Sequence, residues 1–228
     1  MWGNSRRLIR RIYRSFNPMT LTPTAIQEYD NRAPDSDTTE TATFGLGCFW
    51  GPDATYGATE GVVRTRVGYA GGSKTDPGYH SLGNHTEVFQ VEFDPDVMTY
   101  ADLLGQAFQG HSPRSQTRKT QYQNVVFAAT PAQQETLDEY LQAHGLDADA
   151  IETRVEQLSR FYNAEDYHQK YSLRSQQSFM SSFEEAGYDD ADLRESPIAA
   201  KLNGYVAGKE IPTVNELGAL EREPVHGD

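Results

Sequence analysis

Thr41-Ala42-Thr43-Phe44-Gly45-Leu46-Gly47-Cys48-Phe49-Trp50-Gly51-Pro52 is the stretch from which the rest of this chain is read. Thr41 to Phe44 reads as a short strand, and Phe49 to about Glu60 as a helix. Pro52 falls in the first turn of that helix, where a missing N–H removes no hydrogen bond. Cys48 is the only cysteine in 228 residues. It stands at the strand–helix junction, between glycines and beside two large aromatics. A thiol there meets the unpaired amides of a helix start, whose partial positive charge favours thiolate, the reactive form. The same residue type also serves as a small buried hydrophobe. This stretch alone leaves both readings open.

Outward from the junction, Gly61 to Tyr69 and Glu87 to Phe93 alternate apolar and polar residues as half-buried strands do. The glycines, Pro77 and Asp76 between Gly71 and Asn84 mark a loop. Thr99 caps a helix carrying Leu103, Leu104, Ala107 and Phe108 on one face. Asn124 to Ala129 is another strand. Thr130 caps the next helix, with Pro131 at its first position and an end near Gly145. Ile151 to Leu158 alternates again. The first six elements run strand, helix, strand, strand, helix, strand, the order of the split βαβ plait. After Phe161 the chain reads as wholly helical through about Gly204, with Tyr167, Tyr171, Phe179 and Phe183 as a packing stripe. The expected fold is α+β, a ferredoxin-like plait with additional C-terminal helices.

The formal charge of -13 argues against nucleic acid, since a phosphate-binding stripe does not survive such a background. Acids spread along the whole chain resemble the surface of salt-adapted proteins. No apolar run is long enough to span a bilayer, so no membrane partner is expected. A single cysteine excludes an internal disulfide framework and a zinc cluster of several thiolates. It fits a reducing, cytoplasmic setting. No metal or organic cofactor is indicated, and with no apolar stripe left over a monomer is expected. Residues 1–18 carry Arg6, Arg7, Arg10, Arg11 and Arg14 without an acid. They read as a basic amphipathic helix, as disorder, or as an extension upstream of a true start at Met19. Residues 19–40 read as a solvated, polar lead-in.

A thiolate nucleophile needs an electrophile, a proton source and a shaped pocket. Glu87 enters a buried strand from a loop. Desolvated there, it would hold a proton near neutrality; as an ordinary edge carboxylate it would not. Tyr79 and Tyr122 stand at loop ends as hydrogen-bond donors or as amphipathic packing residues. His85 and His168 are open to two readings, an imidazolium partner for Cys48 or a structural histidine.

Gly47-Cys48-Phe49-Trp50-Gly51, Gly68-Tyr69-Ala70-Gly71-Gly72, Pro77-Gly78-Tyr79, His85-Thr86-Glu87, Thr120-Gln121-Tyr122 and Phe161 to Gln169 occur in that order. Together they resemble the A-type peptide methionine sulfoxide reductases, over roughly residues 41–175. The resemblance implies thiol-dependent reduction of methionine S-sulfoxide, protein-bound or free. Catalysis would fall to Cys48 as nucleophile, Glu87 as acid, and Tyr79 and Tyr122 as donors to the sulfoxide oxygen. Phe49 and Trp50 would cage the S-methyl group, with Tyr162 and His168 also at the substrate, and Cys48 would become a sulfenic acid. With the resemblance covering 41–175 as a catalytic domain, composition and pattern make 1–40 a basic, then acidic and polar, disordered lead-in, 176–204 a helical extension and 205–228 a tail.

Two departures from the family pattern stand out. Ser112 and Thr117 replace acids of the family's His-Asp-Pro and Asn-Asp stretches. The second cysteine that many members carry near the C-terminus has no counterpart here. Sulfenic Cys48 would therefore be resolved by an external thiol, a thioredoxin-like protein or a small thiol. The missing acids also suit a different reading, a non-catalytic redox sensor or sulfoxide-binding module on the same fold.

Overall fold

The computed structural model describes residues 21–147 and 150–211. The arginine-rich stretch 1–18 and most of the tail expected from 205 lie outside the described residues. Among the described residues six strands form one sheet: β1 (Glu40–Gly45), β2 (Val62–Ala70), β3 (Thr86–Phe93), β4 (Val125–Ala128), β5 (Arg154–Gln157) and β6 (Tyr162–Asn163). Their order is β5-β4-β1-β3-β2-β6. The central four are antiparallel in the plait order. β5 joins β4 in parallel, and β6 pairs antiparallel with Gly68 and Tyr69 of β2.

Eight helices occur among the described residues: α1 (Pro23–Asp30), α2 (Trp50–Gly57), α3 (Tyr100–Gln109), α4 (Pro131–Ala143), α5 (Tyr171–Arg174), α6 (Gln177–Glu185), α7 (Asp190–Glu195) and α8 (Pro197–Val206). α3 opens on a capping box between Thr99 and Asp102, which satisfies two helix-start donors reciprocally. In α4 the Thr130 hydroxyl accepts from Gln133 N–H at 3.2 Å. The main core joins Phe44, Phe89 and Val91 of the sheet to Tyr56 of α2, Leu103 and Leu104 of α3, and Leu137 and Leu141 of α4. No helix among the described residues is long and apolar enough to cross a membrane.

Three expectations change. Residues 23–30 are not solvated lead-in but the helix α1. Its Ile26 is fully buried in a second apolar cluster with Phe183, Ile198 and Leu202. The segment after Phe161 is not wholly helical, because β6 extends the sheet and a 3₁₀ turn spans Asp166–His168. α8 also runs past Gly204 to Val206.

The late helices pack directly on the helix that follows Cys48. A Cβ on Gly57 of α2 would lie 2.4 Å from the Ala200 carbonyl oxygen of α8, so only glycine allows this approach. Beside that contact Asn203 donates to Asp53 Oδ2 at 2.8 Å and accepts from Leu173 N–H at 3.1 Å. Thr65 of β2 donates to Asp53 Oδ1 at 2.5 Å. The buried Lys170 ammonium donates to the Thr65 carbonyl at 2.5 Å and to the Arg194 carbonyl at 3.2 Å. Every buried charge in this row is paired or hydrogen-bonded, as burial requires. α2 is thereby fixed to β2 on one side and to α8 on the other.

Candidate active site

β1 ends at Gly45, and the chain turns into α2 through Gly47, whose φ of 77° lies in the left-handed region. Nothing stands within 4 Å of a Cβ at Gly47, so the backbone angle rather than space calls for glycine. The turn leaves Cys48 exposed at the lip of the sheet. The next two amides go to different acceptors. Phe49 N–H donates to Glu87 Oε2 at 3.2 Å, and Trp50 N–H hydrogen-bonds to the Cys48 thiol.

Glu87 lies near the start of β3 and is 1% exposed. Its other oxygen accepts from Gln121 Nε2 at 2.6 Å. Gln121 is presented by the 3₁₀ turn Thr120–Tyr122, which sits beside β3. Burial raises the Glu87 pKa above the ordinary carboxylate value, against the pull of Gln121, the Phe49 amide and the Lys119 charge. A carboxyl in that position is suited to hold a proton.

At Cys48 the shift runs opposite to the one a helix start alone favours. Its pKa is raised, first by desolvation on its protein side and then by the Glu87 charge. The Trp50 amide opposes both. The helix start does favour thiolate, but one of its amides is committed to the carboxyl beside the sulfur. Burial and the Glu87 charge both favour the protonated sulfur over the thiolate.

The phenols of Tyr79 and Tyr122 hydrogen-bond to each other, which raises Tyr79, and Tyr79 also feels Glu87 and Cys48. Glu165 fixes the Tyr79 backbone, accepting its N–H at 2.9 Å while taking the Tyr69 hydroxyl at 2.7 Å. Lys119 Nζ sits 4.3 Å from the Tyr122 ring centroid. The apolar wall is formed by Phe49, Trp50 and His168. Phe49 lies 6.4 Å from Trp50 and 5.2 Å from His168, centroid to centroid. Trp50 Nε1–H donates to His168 Nδ1 at 3.3 Å, and the indole stacks on Tyr171 at 3.8 Å and 7°.

These contacts settle the histidines. His168 accepts at Nδ1, and burial lowers its pKa, so it is a neutral ring that holds the indole and not a base for Cys48. Its Nε2 has no hydrogen-bond partner among the described residues, with Glu165 at 4.0 Å. His85 is a loop pin: Gly72 N–H donates to its Nδ1 at 3.1 Å, and its Nε2 meets the Lys74 carbonyl at 2.7 Å.

The site residues read from the sequence therefore fall into two groups. Cys48, Glu87, Tyr79, Tyr122, Phe49, Trp50 and His168 are brought together. Tyr162, on β6, turns its ring edge-on to His85 at 5.5 Å and under the Arg160 guanidinium at 5.4 Å. Sequence reading gave no role to Gln121, Glu165, Tyr171 or the Phe49 amide. Gln121 adjoins Tyr122, and that adjacency was the available signal. Tyr171 was hidden inside an aromatic stripe, yet it is 46% exposed while Phe179 and Phe183 are core. Ser112 and Thr117 are exposed. The loop around them is tied by Gln116, which exchanges two bonds of 2.9 Å with the Asn124 backbone. No group of three or more His, Cys, Asp or Glu suited to a metal occurs among the described residues.

A sulfur nucleophile beside a buried carboxyl, on an α+β plait, is an arrangement suited to thiol chemistry with acid assistance. Residues 40–196 match the family model for peptide methionine sulfoxide reductase, and the chain belongs to that family. A peptide methionine sulfoxide reductase of Drosophila melanogaster is 39% identical over 174 residues, covering 75% of this chain and 70% of the relative. One from Methanothermobacter thermautotrophicus is 41% identical over 144 residues, covering 58% of this chain and 85% of the relative. The solved structure of methionine sulfoxide reductase A of Corynebacterium diphtheriae matches with a TM-score of 0.52 and 34% identity. It covers 60% of this chain and 75% of that one.

Proposed function

We propose that this chain reduces the S epimer of methionine sulfoxide, through a sulfenic acid on Cys48, with Glu87 as the acid. Cys48 sulfur attacks the sulfoxide sulfur while Glu87 delivers a proton to the sulfoxide oxygen, with Tyr79 and Tyr122 as further donors. The oxygen passes to Cys48 as the S–O bond of the substrate breaks, leaving methionine and Cys48–SOH. One external thiol then forms a mixed disulfide with loss of water. A second thiol releases Cys48–SH and a disulfide, so two electrons enter per turnover. The reductant is a thioredoxin-like protein or a small thiol, since these 228 residues hold a single cysteine. That cysteine usage also fits a reducing, cytoplasmic setting.

The observation that carries this reading is the division of two successive amides, Phe49 N–H to Glu87 and Trp50 N–H to Cys48. One backbone turn sets the distance between nucleophile and acid. The test is a single turnover without reductant, with each epimer offered separately. The S epimer is expected to give one methionine per protein and a Cys48 heavier by one oxygen atom. The R epimer and Cys48→Ser are expected to give none. Methionine formed without a mass gain on Cys48 would refute the sulfenic route.

A further inference from the structure

The 3₁₀ turn that presents Gln121 and Tyr122 is entered through Lys119, whose carbonyl accepts Tyr122 N–H at 2.9 Å. The Lys119 amide donates to the Thr117 hydroxyl at 3.3 Å. From this fixed backbone the side chain folds over its own turn, with Nζ 4.3 Å from the Tyr122 ring centroid. A cation at that distance from a ring face is held by the ring quadrupole. Lys119 is exposed, yet its ammonium enters no salt bridge among the described residues. Thr117, one of the two residues that replace a family acid, leaves the cation to the ring, where an aspartate would draw it away. Among the described residues, the ionisable groups that interact with the Glu87 charge are Cys48 from the turn after β1, Tyr69 of β2, Tyr79 from the loop after β2, and Lys119. The thiol and the phenols gain only negative charge when they ionise. Lys119 alone in this set brings positive charge to the carboxyl.

We infer that Lys119 is a positioning residue for the proton transfer: seated on the Tyr122 ring, its ammonium holds a positive charge toward the Glu87 carboxyl. The inference rests on the sulfoxide reductase reading, in which Glu87 gives its proton to the substrate oxygen. A Glu87 that yields its proton is left as a buried carboxylate, and burial without a compensating charge opposes that outcome. The Lys119 charge stabilises the carboxylate and so makes the buried acid a readier donor. Burial and Lys119 thus pull Glu87 in opposite directions, and their balance sets the pH at which the acid ionises. Lys119 acts through Glu87 and Tyr122 and makes no contact with the reacting atoms in this account. The turn that carries it also carries Gln121, which bonds the same carboxyl at 2.6 Å. One short segment therefore sets both the orientation and the charge balance of the acid.

The test follows Glu87 itself, by carbon NMR of its labelled carboxyl group in the full chain without substrate. Lys119→Gln removes the charge at an exposed position. Its Glu87 is expected to titrate at higher pH than in wild type, and Lys119→Arg is expected to restore the wild-type midpoint. The gap between wild type and Lys119→Gln is expected to narrow as salt is added, because an exposed charge is screened. In a first turnover of methionine S-sulfoxide without reductant, Lys119→Gln is expected to be about two- to fivefold slower on the acid side of the optimum. A Glu87 midpoint that is equal or lower in Lys119→Gln, or that Lys119→Arg does not restore, would overturn the proposal. So would a first turnover slowed by one factor at every pH, the mark of a merely structural role. A wild-type protein inert toward every sulfoxide, with the midpoint shift intact, would instead remove the functional reading and leave the interaction of Lys119 with Glu87 standing.

Discussion

At the scale of single residues, Cys48 and Glu87 behave as one titrating pair. Each has its pKa raised, and the charge on Glu87 is one reason the thiol holds its proton. The productive form carries one proton between them: thiolate with carboxylic acid has the same proton count as thiol with carboxylate. Glu87→Gln removes the charge and keeps an N–H donor. Its thiolate is therefore expected to appear at lower pH than in wild type, read by ultraviolet absorbance of the thiolate. An unchanged or higher midpoint would mean the two groups are not coupled. The residue types at the site were legible because a lone cysteine between glycines, with aromatics after it, is rare. Its ionisation was not legible. A sequence shows that a helix begins, but not which of its first amides a distant carboxylate on β3 has taken.

At the scale of elements, α2 and α8 approach at glycine. Gly57→Ala places a methyl group 2.4 Å from the Ala200 carbonyl, and backbone on both sides resists the shift. The expected loss is about 1–3 kcal/mol of unfolding free energy. Gly51→Ala, in the same helix with open space around its Cβ, is expected to gain up to about 1 kcal/mol. Denaturant unfolding of the two variants measures the contrast. Equal stabilities would show that the helices do not meet as described. The strands and helices of the plait were readable because β3 alternates and both α3 and α4 start on threonine caps. α1 was missed since its two buried residues, Ala25 and Ile26, sit among Thr, Pro and Glu. β6 was missed because two residues carry no periodicity, and only its pairing with Gly68 and Tyr69 makes it a strand.

At the scale of the whole molecule, buried cations tie the late helices to the plait. Lys201 of α8 donates to the Thr59 and Val62 carbonyls, each at 2.7 Å. Burial lowers its pKa to about 8. The unfolded chain binds this proton up to a pH of about 10.4, and the folded chain releases it near 8. Between those values the unfolded state binds more protons, so stability rises with pH and is lost again as pH falls. Lys201→Met removes this dependence. The stability difference between wild type and variant is expected to grow by about 3 kcal/mol from pH 8 to 10.5. A flat difference would mean the amine is solvated in the folded protein.

The most direct measurement of the central claim is the rate of the first turnover, without reductant, against pH in wild type and Glu87→Gln. Wild type is predicted to trace a bell. The rate falls at low pH, where sulfur and carboxyl are both protonated, and at high pH, where neither holds a proton. Glu87→Gln is predicted to be slower by about 10²–10⁴ at the wild-type optimum. Equal rates for the two proteins across the pH range would contradict the claim that Glu87 supplies the proton for reduction at Cys48.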